Sequence, residues 1–159
     1  MVTRNIVNPP FMKNTALLLA LLLTACAVGE KVEYQDIALV SPNRQIIELA
    51  VEVADTPEER AQGLMGRTHL KENTGMLFLF QKPEVLKFWM KDTLIPLDIL
   101  FFDGAATLVS HITMEPCTKD PCSLYSSTLP AAIAVEVNAG FAKKHGIGPG
   151  WRIALKQQE

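Results

Sequence analysis

Alternation of apolar and polar residues over short segments is the feature that most restricts how this chain can fold. Ile47, Leu49, Val51 and Val53 alternate with polar or small residues, which is the period of a strand with one buried face. Further strands are predicted in segments bounded by turn-forming residues, namely 76–80, 85–90, 97–102, 107–114, 132–137 and 151–155. Asp103-Gly104 lies between two of these segments and predicts a hairpin.

Two short helices accompany the strands. Thr56-Pro57-Glu58-Glu59 contains a capping box with proline at the first helical position, so we expect a helix from there to Gly66. A second helix is predicted from Asn138 to His145, with Gly146 after it. The pattern predicts a mainly β, α+β fold: a single antiparallel β-sandwich or barrel-like domain over residues 34–159.

The N-terminal segment is typical of an export signal. Residues 16–23 are all alanine or leucine and follow Lys13. The apolar run has about half of the roughly 20 residues that a membrane-spanning helix needs, and it has the length of a signal-peptide core. Leu23-Thr24-Ala25-Cys26 resembles the lipobox of bacterial lipoproteins, in which small residues precede the cysteine that receives the lipid. The sequence predicts a signal peptide over 1–25, with Met12 as an alternative start of translation, and a tether over 26–33.

Lipidation of Cys26 would give the protein three acyl chains, two in a diacylglycerol on the sulfur and one on the amino group. Stable membrane attachment requires two lipid signals, so this lipidation would anchor the protein stably. The residue that follows, Ala27, is not the aspartate that commonly retains lipoproteins in the inner membrane. In a host with two membranes we expect the periplasmic face of the outer membrane. The alternative is an ordinary secretory signal that is cleaved after Ala25.

Net charge limits the class of partner. Of the 15 lysines and arginines, Arg4 and Lys13 precede residue 26, whereas all 17 acids follow it, so the exported chain carries a net charge of −4. A nucleic-acid-binding domain normally shows a basic surface. We therefore expect the membrane and a small molecule as partners, and no nucleic acid.

The cysteines fit the same compartment. Cys117 and Cys122 enclose a short loop with two turn-forming prolines nearby, and thiols this close form disulfides in an oxidising envelope. A redox pair or half of a metal site are alternatives, although the spacing is not the C-x-x-C of oxidoreductases. We predict a structural Cys117–Cys122 disulfide.

Three longer segments resemble a known family. They are Gly63-Leu64-Met65-Gly66-Arg67, residues 75–80 (Gly-Met-Leu-Phe-Leu-Phe) and residues 88–99, which begin Phe-Trp-Met-Lys. Together with Glu136-Val137-Asn138-Ala139-Gly140 they resemble the bacterial and archaeal domain of unknown function 192 over about residues 45–155. Members usually have Asn at Asp92 and Gly-Asp at Gly150-Trp151. The resemblance implies a compact β-rich fold, often exported, and it implies no activity, cofactor or catalytic residue.

A ligand-binding face is one candidate for the site. On a strand over 85–91, Lys87, Trp89 and Lys91 share a face. With Arg67 nearby, they would form an aromatic platform with cationic donors for an anionic or sugar-like ligand. The more ordinary interpretation places Trp89 over a second layer of core, with the lysine stems beside it, and we expect Trp89 to be buried.

Catalysis and metal binding are the alternatives. Asp98 is an acid in an apolar strand, so an envelope hydrolase could use it, although an ion pair with Arg67 or Lys91 is the simpler expectation. No hydrolase elbow, zinc helix or nucleotide-binding loop is present, and we predict no cofactor. A copper site would draw on soft donors, but methionine is also an ordinary core residue. The candidates are Met65, Met76, Met90, Met114, His69 and His111.

Overall fold

The computed structural model describes residues 34–156, and they form a mainly β, α+β fold, which confirms the predicted fold class. The elements are β1 (Tyr34–Val40), β2 (Ile46–Ala54), α1 (Pro57–Gln62), β3 (Thr74–Glu84), β4 (Lys87–Trp89), β5 (Leu97–Phe102), β6 (Leu108–Met114), β7 (Leu124–Ser126), β8 (Ala131–Asn138), α2 (Phe141–His145) and β9 (Arg152–Leu155).

Seven of the strands form one curled sheet in the order β6-β5-β8-β3-β2-β1-β9, and β4 pairs with β7 in a small second sheet. The two edges of the large sheet meet. The amide of Leu108 donates to the carbonyl of Trp151 at 2.8 Å, and the amide of Ile153 donates to the carbonyl of Ala106 at 3.0 Å. These bonds close the sheet into a barrel.

The strand pairing departs from the antiparallel arrangement that we predicted at one place. β2 and β3 run parallel, whereas the other neighbouring strands of the large sheet are antiparallel. Parallel neighbours need a crossover connection, and the segment that contains α1 provides it. This crossover places α1 and the turn after it on the outer face of the sheet.

The large sheet has a hydrophobic core on each face. All six residues of β5 are buried, and they alternate between the two cores. Leu100 and Phe102 point into the barrel, where the interior core draws residues from all seven strands and from α2. Ile99 and Phe101 point to the outer face, into a second core that β4, β7 and the α1 crossover cover. The outer core is where the chain has room for a site.

Both predicted helices form, but their bounds differ. The capping box is present: Glu59 donates its amide to Thr56 Oγ1 at 3.2 Å, and the amide of Thr56 donates to Glu59 Oε2 at 3.0 Å. The helix ends before Gly63, whose φ of +47° favours glycine, and not at Gly66. α2 begins after Gly140, because Asn138 is the last residue of β8.

Within residues 34–156, no helix is both long and apolar enough to cross a bilayer. The predicted signal peptide (1–25), the lipidation at Cys26 and the tether (26–33) lie outside the described residues.

A disulfide joins Cys117 and Cys122, as predicted. The Cys117 amide donates to the carbonyl of Met90 at 3.3 Å, which attaches this loop to the chain just after β4. We expect the double variant Cys117→Ser/Cys122→Ser to fold and to lose less than the ~3 kcal/mol of a 15-residue loop, because this bond encloses a much shorter one. Urea unfolding with and without a reducing agent measures the loss. An unfolded double variant would contradict this expectation.

Candidate functional site

A cleft opens on the outer face between the end of α1 and β4. Gly63 and Met65 line it from the turn after α1, and Phe88 and Trp89 line it from β4. The cleft is shallow and partly open to solvent, and its enclosed space is about 30 Å³. Pockets for drug-sized ligands measure about 300–1,000 Å³, so this cleft suits at most a small polar group.

Glu136 forms part of the cleft lining and is the acid among the lining residues. It lies on β8 between Met76 of β3 and Ile99 of β5, and only 5% of its surface is exposed. Its carboxyl oxygens are not among the fully buried polar atoms without a hydrogen-bond partner in residues 34–156, which are Glu52 Oε1 and His145 Nε2. Burial raises the pKa of Glu136 to about 8, because a charged carboxylate is poorly solvated there. The carboxyl is therefore mostly protonated at neutral pH.

Gly75 on β3 lies directly against the backbone of Glu136 on β8. A Cβ atom at this position would overlap the carbonyl oxygen of Glu136. Glycine therefore allows β3 to approach β8 closely at the floor of the cleft.

Trp89 stands on the rim of the cleft with 49% of its surface exposed. The expectation that it would be buried is wrong: within residues 34–156, β4 is paired with β7 alone, and the indole is half-exposed. Phe88 and Met90 do point into the outer core, as the alternation predicts. The ammonium of Lys91 lies 5.9 Å from the centre of the Trp89 ring, within the range of a cation–π contact.

The other three predicted ligand-binding residues, Arg67, Lys87 and Lys91, do not line the cleft. Arg67 donates to Glu52 Oε2 at 2.6 Å, so its charge is already paired. Lys87 is exposed and lies opposite Ser126 on β7. Of the predicted group, Trp89 lines the cleft and Lys91 lies against its ring.

Asp98 is buried, as predicted, but its contacts are with the scaffold. Its Oδ1 accepts from Thr113 Oγ1 at 2.7 Å, and its Oδ2 accepts from the amide of Ala142 at 2.9 Å. The second bond satisfies a free amide in the first turn of α2. The predicted ion pair with Arg67 or Lys91 is therefore wrong. These contacts support a structural role for Asp98.

The predicted copper donors are not assembled at the cleft. Three methionines, Met76, Met90 and Met114, pack in the outer core. His69 and His111 are exposed, and neither joins Met65 in lining the cleft. In the described part of the chain, one group of three potential ligands lies close together, Cys117, Asp120 and Cys122, and both of its sulfurs are in the disulfide.

Comparison with known proteins agrees with this architecture. The family model described as "Uncharacterized ACR", the domain of unknown function 192, matches residues 38–155. The protein belongs to this family. The family membership confirms the resemblance that the Gly63–Arg67, 75–80 and 88–99 segments indicate, and all three segments contribute to the cleft or its walls.

Two solved structures are similar to this family member. One is a Sinorhizobium meliloti 1021 protein named as a candidate transcription regulator, with 32% identity, a TM-score of 0.73, and coverage of 79% of this chain and 98% of that one. The other is a Novosphingobium aromaticivorans DSM 12444 protein of unknown function, with 30% identity, a TM-score of 0.70, and coverage of 76% and 84%. No curated protein matched the chain.

Sequence reasoning gave Glu136 no functional role. The available signal was a single acid within the apolar run Ala131–Val137, since charged residues are rarely buried without a partner. The same reasoning had singled out Asp98, which has the same signal.

Proposed function

We propose that this protein is a lipid-anchored module of the cell envelope that binds a small polar ligand in the cleft between Trp89 and Glu136. The observation that carries the proposal is that a largely buried carboxyl and a half-exposed tryptophan both line one open cleft. A ligand that hydrogen-bonds to Glu136 and packs on Trp89 would satisfy both side chains.

The charges favour a ligand with hydrogen-bond donors over an anion. The cleft is lined by one acid, Glu136, and one cation, Arg60, whose guanidinium already donates to the backbone carbonyls of Asp55 and Leu79. An anionic ligand would need a cation whose donors are directed at the ligand. Binding is favoured over hydrolysis because Asp98, the acid that was the candidate for hydrolysis, is bonded to the scaffold on both oxygens.

The membrane anchor is the second part of the proposal. The lipobox at residues 23–26 supports it, and the Cys117–Cys122 disulfide is typical of an oxidising compartment.

Small molecules that co-purify with the protein test the binding function. Protein is purified from the native envelope and denatured, and the released molecules are identified by mass spectrometry. We expect one compound to be enriched with wild type and absent from Trp89→Ala/Glu136→Gln. The matched control is Ile46→Ala, which removes an exposed apolar side chain (62% exposed) that does not line the cleft. Equal recovery from all three proteins would contradict the proposal.

The anchor has its own prediction. Cys26→Ser removes the thiol that would carry the lipid, so we expect loss of fatty-acid labelling, accumulation of precursor and loss of the protein from the outer-membrane fraction. Metabolic labelling followed by membrane fractionation measures all three. Unchanged labelling would refute lipidation at Cys26, and wild-type protein in the inner membrane would refute the predicted location.

A further inference from the structure

Exposed apolar side chains are concentrated on one part of the surface. Of the eight large apolar side chains that are exposed within residues 34–156, five lie in the segments 85–94 and 124–129, which contain the paired strands β4 and β7. They are Val85, Trp89, Leu94, Leu124 and Leu129. A cluster of exposed apolar side chains marks a surface that meets a protein or a membrane.

The outward side of the β4–β7 pair carries two of these side chains. Trp89 lies directly opposite Leu124 in the register, and Lys87 lies opposite Ser126, so the four side chains share one side of the two strands. The alternate residues of the pair point inward and pack against the outer core. Lys87, Trp89, Leu124 and Ser126 therefore form one outward surface, the ribbon face.

The chemistry of the ribbon face is that of a membrane interface. Trp89 and Leu124 are 49% and 62% exposed, and tryptophan is enriched at the level of lipid head groups because its ring is apolar and its N–H is polar. Lysine extends its ammonium to water or phosphate while its alkyl chain covers an apolar surface. Lys87 is exposed on this face, and the ammonium of Lys91 lies 5.9 Å from the centre of the Trp89 ring. The face thus complements anionic head groups with acyl chains beneath them.

The start of the described chain brings the predicted lipid anchor close to this face. Tyr34 lies in the same register row as Glu136, three strand spacings away across β2 and β3. Side chains in one row share a face of the sheet, so Tyr34 is on the outer face, about 14 Å along the sheet from Glu136. Glu136 and Trp89 line the same cleft. The eight residues 26–33 precede Tyr34, and eight residues span at most about 29 Å. A bilayer that holds Cys26 is therefore within reach of the ribbon face.

We propose that the ribbon face docks on the lipid bilayer in which Cys26 is anchored, with Trp89 and Leu124 at the level of the head groups and Lys87 at the lipid phosphates. This inference rests on the membrane anchor of the proposed function and adds the orientation of the domain. The short tether and the lysines support a bilayer over a protein partner as the occupant of this face.

Quenching of Trp89 by brominated lipid tests the docking. The lipidated wild type is reconstituted in vesicles of phosphatidylglycerol and a phosphatidylcholine that is brominated near the carbonyl end of its acyl chains, with the unbrominated lipid as reference. Amphipathic surfaces insert about 5–10 Å into the boundary between head groups and acyl chains, so the bromines should contact the indole. We expect most of the Trp89 emission to be lost. Trp89→Phe, which retains the buried Trp151, should show no such loss.

Two variants of equally exposed residues locate the contact. Leu124→Glu places a negative charge on the ribbon face and should restore most of the Trp89 emission, because a carboxylate opposes insertion among anionic lipids. Ile46→Glu is the matched control: Ile46 is also 62% exposed, but it begins β2, at the opposite end of the β1–β2 pair from Tyr34. It should leave the quenching unchanged. Far-ultraviolet circular dichroism verifies that both variants are folded.

An unquenched Trp89 in the lipidated protein, or equal effects of Leu124→Glu and Ile46→Glu, would overturn the docking. Photo-crosslinking from Leu124→p-benzoylphenylalanine in the native envelope should give lipid adducts, and an adduct with a protein in their place would assign the face to a protein partner. Fatty-acid labelling keeps the two failures apart. Labelled protein with an unquenched Trp89 retains the anchor and loses the docking, whereas absence of labelling removes the anchor and the docking with it.

Discussion

Raising the pH from about 5 to about 9 should lower the free energy of unfolding by roughly 4 kcal/mol through Glu136 alone. Burial raises the pKa of this carboxyl from 4.5 to about 8, and each pH unit between the two values is worth about 1.4 kcal/mol. In this window the folded state keeps a proton that the unfolded state has released. The contribution of Glu136 to stability is therefore largest below about pH 4.5 and falls until about pH 8.

Glu136→Gln removes this titration, so the variant should match the wild type near pH 5 and exceed its stability near pH 9. The exposed Glu84→Gln serves as the control and should follow the wild type. Urea unfolding at several pH values, with apo protein, measures the difference. Parallel pH profiles for Glu136→Gln and wild type would show that Glu136 is not a buried proton-binding acid.

Trp151→Ala should cost about 3–5 kcal/mol, whereas Trp89→Ala should cost well under about 1 kcal/mol. Trp151 is 5% exposed and packs in the interior core, and its backbone carbonyl accepts one of the hydrogen bonds that close the barrel. Truncation would leave a cavity at this closure. Trp89 lies half-exposed on the rim, so its removal leaves the cores intact.

Unfolding followed by far-ultraviolet circular dichroism measures both costs without relying on the tryptophan that is removed. Similar losses for the two variants would mean that Trp89 is part of the packed scaffold, and the platform role would then be lost.

Local patterns predicted much of the fold. The alternation in residues 47–53 and the hairpin at Asp103-Gly104 correspond to β2 and to β5–β6, because strand periodicity and turn chemistry act between near neighbours. The capping box at Thr56 is present for the same reason. The parallel pairing of β2 with β3 was not predicted. The local sequence pattern predicts strands and turns, but contacts between distant segments determine which strands pair.

The site was harder to predict than the fold. Asp98 and Glu136 are both single acids in apolar strands, and both are buried. They differ in what lies opposite: the first turn of α2 donates to Asp98, whereas Glu136 lines the open cleft. The exposure of Trp89 depends likewise on which elements pack against β4. These are tertiary relationships, which a strand pattern does not contain.

The two tryptophans provide the most direct test of ligand binding in the cleft. In protein labelled with ¹⁵N, the indole N–H groups of Trp89 and Trp151 give separate signals, one at the cleft and one in the interior core. The small-molecule fraction of the host envelope is added to the labelled protein. Binding in the cleft predicts a concentration-dependent shift of the Trp89 signal, with Trp151 unchanged and the Trp89 shift lost in Glu136→Gln. A Trp89 signal that stays in place, or that moves equally in Glu136→Gln, would contradict the account.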